Sequence, residues 1–158
     1  MSDEMVIENV FDGAPEPEDV GRTKLGLAIV AGLAAAIVGA IIWALFTFET
    51  GMALGLIAIA VGALVGLAVR KVGNSADPKF GVVGAACAAF GWALGTVLCD
   101  IAFLAKEVER PFIDVAIALD LSQIASLAMS AADGMDVVFC AIAIYEGYRF
   151  SLRKDVDA

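Results

Sequence analysis

Residues 25–69 read LGLAIVAGLAAAIVGAIIWALFTFETGMALGLIAIAVGALVGLAV. The first part, Leu25–Phe48, is 24 residues without a charge. At a helical rise of ~1.5 Å per residue it extends about 36 Å, more than a hydrocarbon core of ~30 Å. Gly51–Val69 is a second uncharged run, of 19 residues, and is also long enough to cross. One such run suits a buried soluble helix; two in succession predict membrane-spanning helices. Only Glu49 and Thr50 separate them, so the two are expected to be antiparallel neighbours joined by a very tight turn.

The second run carries a stripe of small residues. Gly51, Gly55, Ala58, Gly62 and Gly66 recur at steps of four, three, four and four, which puts them on one helical face. In lipid the hydrophobic effect does not drive helices together, and close backbone approach at small residues takes its place. The first run offers a matching set in Ala28, Gly32, Ala36 and Ala40. Two readings stay open for this glycine zipper: packing within the chain, or a face through which copies associate.

Composition sets wider bounds. The 158 residues are 61% hydrophobic with a mean hydropathy of +0.88, which suits one membrane domain and leaves no room for a separate soluble enzyme domain. Histidine is absent, which removes His-based metal sites, Ser–His–Asp and Cys–His catalysis and histidine proton relays together. Of the 19 acidic residues behind the net charge of −9, seven precede Arg22. No basic patch fit to neutralise phosphates along a nucleic acid is present, so nucleic-acid binding is not expected. Cys87, Cys99 and Cys140 all fall in apolar runs, without a CxxC or zinc-like spacing.

Residues 1–24 are expected to form an acidic, disordered tail, with Pro15 and Pro17 among Asp3, Glu4, Glu8, Asp12, Glu16, Glu18 and Asp19. They do not read as a cleavable signal peptide. A short apolar cluster, Met5-Val6-Ile7 with Val10 and Phe11, is the one segment there able to dock on a partner. After the second helix, residues 70–79 form a loop with Gly-Asn-Ser and Asp-Pro breakers. Phe80–Leu104 predicts a third span, with its own small-residue stripe in Gly84, Ala88, Gly91 and Gly95, and one acid, Asp100. Residues 112–131 are amphipathic. Ile113, Ile117, Leu121, Ile124 and Ala128 share a face, and Asp120, Ser122, Gln123, Ser126 and Ser130 another, which predicts a helix in the interface plane or folded over the bundle. Asp133, Gly134 and Asp136 mark the start of a fourth, short span over residues 134–150, and 151–158 form a C-terminal tail.

With four spans, one side receives Arg22, Lys24, Arg70, Lys71, Lys79, Arg149, Arg153 and Lys154, and the other only Lys106 and Arg110. Eight against two predicts both termini in the cytoplasm. A fifth span over 112–131 would carry three of those cations across, and is rejected for that reason. Helices one and three share a direction and both open on an apolar–Gly pair, Leu25-Gly26 and Phe80-Gly81, a faint trace of a duplicated hairpin.

Trp43, Glu49-Thr50-Gly51, the run Gly62–Arg70, and a last span entered through Asp-Gly-Met-Asp and left through Tyr-Arg resemble a group of small bacterial membrane proteins. Members often carry a cysteine-rich zinc-ribbon head before the membrane domain. Residues 1–24 here contain neither cysteine nor histidine, so that head is missing. The resemblance covers the first two helices best. It implies a four-helix membrane domain in the bacterial inner membrane and supplies no activity.

Asp100 is the most informative single residue. An acid within a span is costly, usually faces the bundle interior and often marks an ion path, and near the interface it also serves as a structural hydrogen-bond partner; both readings stay open, Thr96, one turn away on the same face, would share either role, and Asp120 would stand among the outer acids along a path. Glu146 with Arg149 and Arg70 is a candidate ion pair at the inner membrane edge. Trp43, Trp92, Tyr145 and Tyr148 are read as interface anchors or packing residues. Cys99 and Cys140 at similar depth can be imagined as soft-metal ligands, but buried cysteine acting as a small hydrophobe is the commoner case. No cofactor or metal is therefore expected.

The expectation is an all-α integral membrane four-helix bundle with an outer amphipathic helix. The expected function is non-enzymatic: a module that self-associates or joins a larger membrane complex through Gly51, Gly55, Gly62, Gly66, Gly84, Gly91 and Gly95, and presents its acidic tail to a cytoplasmic partner. The alternative is a small oligomeric channel or transporter with Asp100, Thr96 and Asp120 along its path.

Overall fold

Long uncharged stretches free of proline leave the backbone little choice but to satisfy its own hydrogen bonds, and the chain does so almost throughout. A computed structural model describes residues 17–50, 55–131 and 134–152, all helix or short connection, with no strand among them. The six helices are α1 (Pro17–Thr50), α2 (Leu56–Gly73), α3 (Pro78–Glu107), α4 (Phe112–Ala118), α5 (Leu121–Ala131) and α6 (Gly134–Ser151). Three of them, α1, α2 and α3, are long and apolar enough to cross a membrane. The 18 residues of α6 include three charges, Asp136, Glu146 and Arg149, and α6 does not share that apolarity.

Several boundaries differ from the sequence reading. Helix α1 starts at Pro17, so 17–24 are helical rather than an extension of the tail; a helix of 34 residues, about 51 Å, simply projects beyond the bilayer. Glu49 and Thr50 do not form a turn but end α1, where the Thr50 hydroxyl donates to Phe46 O at 2.7 Å. Gly51 lies outside the described residues. Helix α2 runs past Arg70 and Lys71 to Gly73 and stops where Asn74 turns left-handed, at φ 43°. Asp77 then caps α3, accepting the Lys79 backbone N–H at 2.9 Å, with Pro78 in the first turn. The segment 112–131 is two helices, not one. Leu119 is extended, and Asp120 opens α5 with a reciprocal capping box, its carboxylate accepting the Gln123 N–H while its own N–H donates to the Gln123 side chain, both at 2.9 Å.

Contacts fix the arrangement. Gly32 lies against Val69 and Gly39 against Val61, so α1 and α2 are antiparallel. Gly91 meets Ala36 and Gly95 meets Trp43, so α1 and α3 are parallel. Gly62 meets Ala143 and Gly66 meets Phe150, while Gly84 meets Ser151, so α6 runs parallel to α2 and antiparallel to α3. Helices α2 and α3 touch each other, and α1 and α6 each pack on both. Helices α4 and α5 fold back on the far end of α3, where Val115 joins Ile101 and Ala105 in a local core.

Residue size is sorted the opposite way from a soluble core. The interior is Ala28, Ala36, Ala40, Ala58, Ala88, Val61, Val65 and Val69 with glycines between. Leu27, Val30, Ile42, Leu45, Leu56 and Val82 point outward, each more than half exposed. Small residues inside and large apolar ones outside is what lipid as the surrounding solvent selects.

Candidate functional site

A group of polar side chains sits between the helices at the end where α1 and α3 finish; buried Ser151 lies at the opposite end, where its hydroxyl donates to Gly147 O. Trp43 on α1 lies across Gly95 of α3 and is 5% exposed; no larger residue at 95 would leave room for the ring. It packs with Ala58 and Cys99, bordered by Trp92 and Phe139. Thr47, one turn further along α1, is buried and shares a 3.2 Å contact with Cys99 Sγ. Next to Cys99 is Asp100, half-buried on α3. From the first turn of α6, Asp136 is close enough for its charge to act on Asp100. Thr96 donates to its own helix at Trp92 O, 3.0 Å away.

Two atoms in this group are buried without a hydrogen-bond partner among the described residues, the donor Trp43 Nε1 and the acceptor Asp100 Oδ2. An orphaned carboxylate oxygen in low dielectric invites a proton, a cation or a water. Among the described residues no three of Cys, Asp and Glu converge as a metal site would require.

The other sequence-predicted residues fall elsewhere. Asp120 is fully exposed and engaged by Ser122 Oγ and the Gln123 N–H as the α5 cap; those donors hold its carboxyl below the usual carboxylate range. Its local bonds give it a structural task at the helix start. The Glu146–Arg149–Arg70 pairing does not form. Arg149 instead donates to Tyr145 Oη at 3.3 Å and stands 5.9 Å from the Tyr145 ring centroid, a turn away on its own helix. The ion pair seen among the described residues is Lys79–Asp77, at 3.8 Å.

The described glycines of the two small-residue stripes are inside. A Cβ built at Gly62 would meet Ala143 O at 2.5 Å, and one at Gly66 would meet Phe150 Cβ at 2.7 Å. Gly55 faces the Phe139 ring, Gly84 faces Ser151 and Gly147 O, and Gly91 faces Ala36 Cβ at 3.1 Å. These faces are filled by helices of the same chain, so association between copies has to use other surface. Gly39 on α1, against Val61, and Gly147 on α6, against Ala88 and Gly84 O, are packing glycines outside the stripes read from the sequence, although Ala143, Gly147 and Ser151 stand four apart, the same small-residue spacing. Lys106, read only as an outer charge, donates to the last carbonyls of α1, Phe48 O at 2.9 Å and Glu49 O at 3.1 Å.

The chain matches no protein-family model, no curated protein and no solved structure. The fold alone defines its class: an all-helical protein with three helices long and apolar enough to span a membrane.

Proposed function

We propose that the chain is a non-enzymatic, multi-pass module of the bacterial inner membrane, with α1, α2, α3 and α6 all spanning and both termini in the cytoplasm. The observation that carries this reading is the inverted sorting of side chains, alanine and glycine between the helices and large aliphatics around them. The packing of α6 on both α2 and α3 supports counting it as a span despite its three charges. A body locked internally by its glycines is a rigid anchor. It offers the outer apolar face of α1, including Val30, Val38, Ile42 and Leu45, to lipid, to a second copy or to another membrane subunit. It holds the acidic N-terminal segment at the inner surface for a cytoplasmic partner.

Native mass spectrometry of the complex extracted gently from its membrane tests the reading. Integer multiples of 16.3 kDa are expected for self-association, and added polypeptides for a larger complex. A bare monomer under every mild detergent would sink both.

The orphaned Asp100 Oδ2 beside Asp136 favours a second reading, an ion or proton path through the outer half of the bundle. Ion flux in liposomes that Asp100→Asn abolishes while assembly survives would support it; no flux from the parent protein would end it.

A further inference from the structure

At the opposite end of the molecule from Asp100, the start of α1 and the α2–α3 loop border an open cavity of about 600 Å³. Its lining carries Arg22, Lys24 and Lys79 against one carboxylate, Asp77. That carboxylate is already engaged, by the Lys79 N–H at 2.9 Å and the Lys79 ammonium at 3.8 Å. Arg22 and Lys24 are exposed and pair with no acid among the described residues. Among the described residues its lining therefore has an excess of positive charge, which favours an anion.

The other part of the lining is apolar. Leu25 and Phe80 are the residues at which the uncharged runs of α1 and α3 begin, immediately after Lys24 and Lys79. Phe80 is 7% exposed and fixed against Ala28 and Val69, with Leu25 beside them. The cavity thus lies across the boundary between the charged end and the apolar spans. A ligand that fits it is anionic at one end and apolar at the other.

We propose that this cavity binds the phosphate headgroup of an anionic membrane lipid. Arg22, Lys24 and Lys79 hold the phosphate, and Leu25 and Phe80 meet the start of the acyl chains. A zwitterionic headgroup brings a cation of its own into a cationic cavity, and inorganic phosphate has no tail for the apolar part. The proposal rests on the membrane reading above and adds a ligand class to it.

The test uses the full chain in nanodiscs of phosphatidylcholine with a minor share of phosphatidylglycerol, and native mass spectrometry of the lipids that stay bound. Phosphatidylglycerol is expected to be retained preferentially. Lys24→Gln and Lys79→Gln should each weaken retention about five-fold, one cation's share of attraction to an anionic lipid. Lys71→Gln, exposed at the same end but outside the cavity lining, should leave it unchanged. Unaltered circular dichroism confirms that the exposed-site variants fold. Equal retention of both lipids, or an equal loss on Lys71→Gln, overturns the site. Complete displacement of phosphatidylglycerol by millimolar inorganic phosphate overturns the lipid assignment. A chain that never enters the nanodisc refutes the membrane reading itself, which is distinct from a chain that enters and shows no preference.

Discussion

Glu109 sits at φ 51°, in the left-handed region that a side chain with a Cβ disfavours. The surrounding bonds explain why it stays there. Arg110 N–H reaches back to Ala105 O at 3.0 Å and Glu109 N–H to Lys106 O at 3.3 Å, the two bonds of a Schellman close to α3, with Pro111 next to stop the helix. Among the described residues the glutamate side chain itself makes no hydrogen bond or ion pair. Glu109→Gly is therefore expected to raise stability by roughly 0.5–1 kcal/mol, read as a higher thermal midpoint in detergent. A lower midpoint would mean the carboxylate has a task the hydrogen bonds do not reveal. Asp120 carries a pH-dependent prediction. Its folded-state carboxyl is held below the ordinary value by Ser122 and the Gln123 N–H. The cap's contribution to α5 is thus fully present above about pH 4, the ordinary carboxylate value, and is lost as pH falls through the lower folded value. Asp120→Asn should keep the cap and flatten that pH dependence, while Asp120→Ala should lose the cap at every pH. Hydrogen exchange of the first α5 amides distinguishes the two variants, and identical protection in both would show that the side chain does not cap.

At the scale of elements, the contacts between α2 and α6 and between α3 and α6 depend on glycine because backbone meets backbone there. Gly62→Leu would drive a branched side chain into the Ala143 carbonyl, and Gly147→Leu into Ala88 and the Gly84 carbonyl. Each is expected to cost about 1–3 kcal/mol or more, as overpacking does, and to lower the unfolding midpoint in detergent. Gly26→Leu, with nothing within 4 Å of its Cβ position, should be close to neutral. Equal effects at 26 and 62 would show that α6 does not pack where it is drawn. The same elements show what the sequence made legible. The steps of three and four picked out Gly55, Gly62, Gly66, Gly84, Gly91 and Gly95 as one-sided, and each does meet another helix. Spacing does not say which helix, because a small-residue stripe looks the same whether its partner is in the same chain or in another copy. The break between α4 and α5 was hidden for a related reason. The apolar period runs unbroken from Ile113 to Ile124, while the competing signal, Asp120 with Gln123 three residues on, is a local hydrogen-bond pattern that periodicity does not register. The site around Asp100 was legible as a lone acid. Its setting was not: Trp43 buried over Gly95 and Asp136 brought in from α6 are products of packing between distant segments.

For the whole molecule, the basic residues divide by end more sharply than their number suggests. Arg22, Lys24, Arg70, Lys71, Lys79 and Arg149 all lie at the end where α2 and α6 finish. At the opposite end one of the two cations, Lys106, is tied to the closing carbonyls of α1, where its charge complements the helix dipole. That local role accounts for its place there, which leaves Arg110 as the cation at that end, among the described residues, that weighs against the proposed cytoplasmic basic end. The consequence can be read by cysteine labelling. Ser75→Cys lies in the α2–α3 loop, and Ile117→Cys replaces a residue 78% exposed on α4 at the other end of α3. The native Cys87 and Cys99 are buried, so the parent chain supplies the labelling background, with Cys140→Ala added because Cys140 is only half-buried. With an impermeant maleimide on intact cells, Ile117→Cys should label and Ser75→Cys should label only after the inner membrane is opened. The reverse pattern would invert the topology and place the basic cavity outside. Labelling of both positions from one side would mean that α3 does not cross at all, and no arrangement of four spans survives that result.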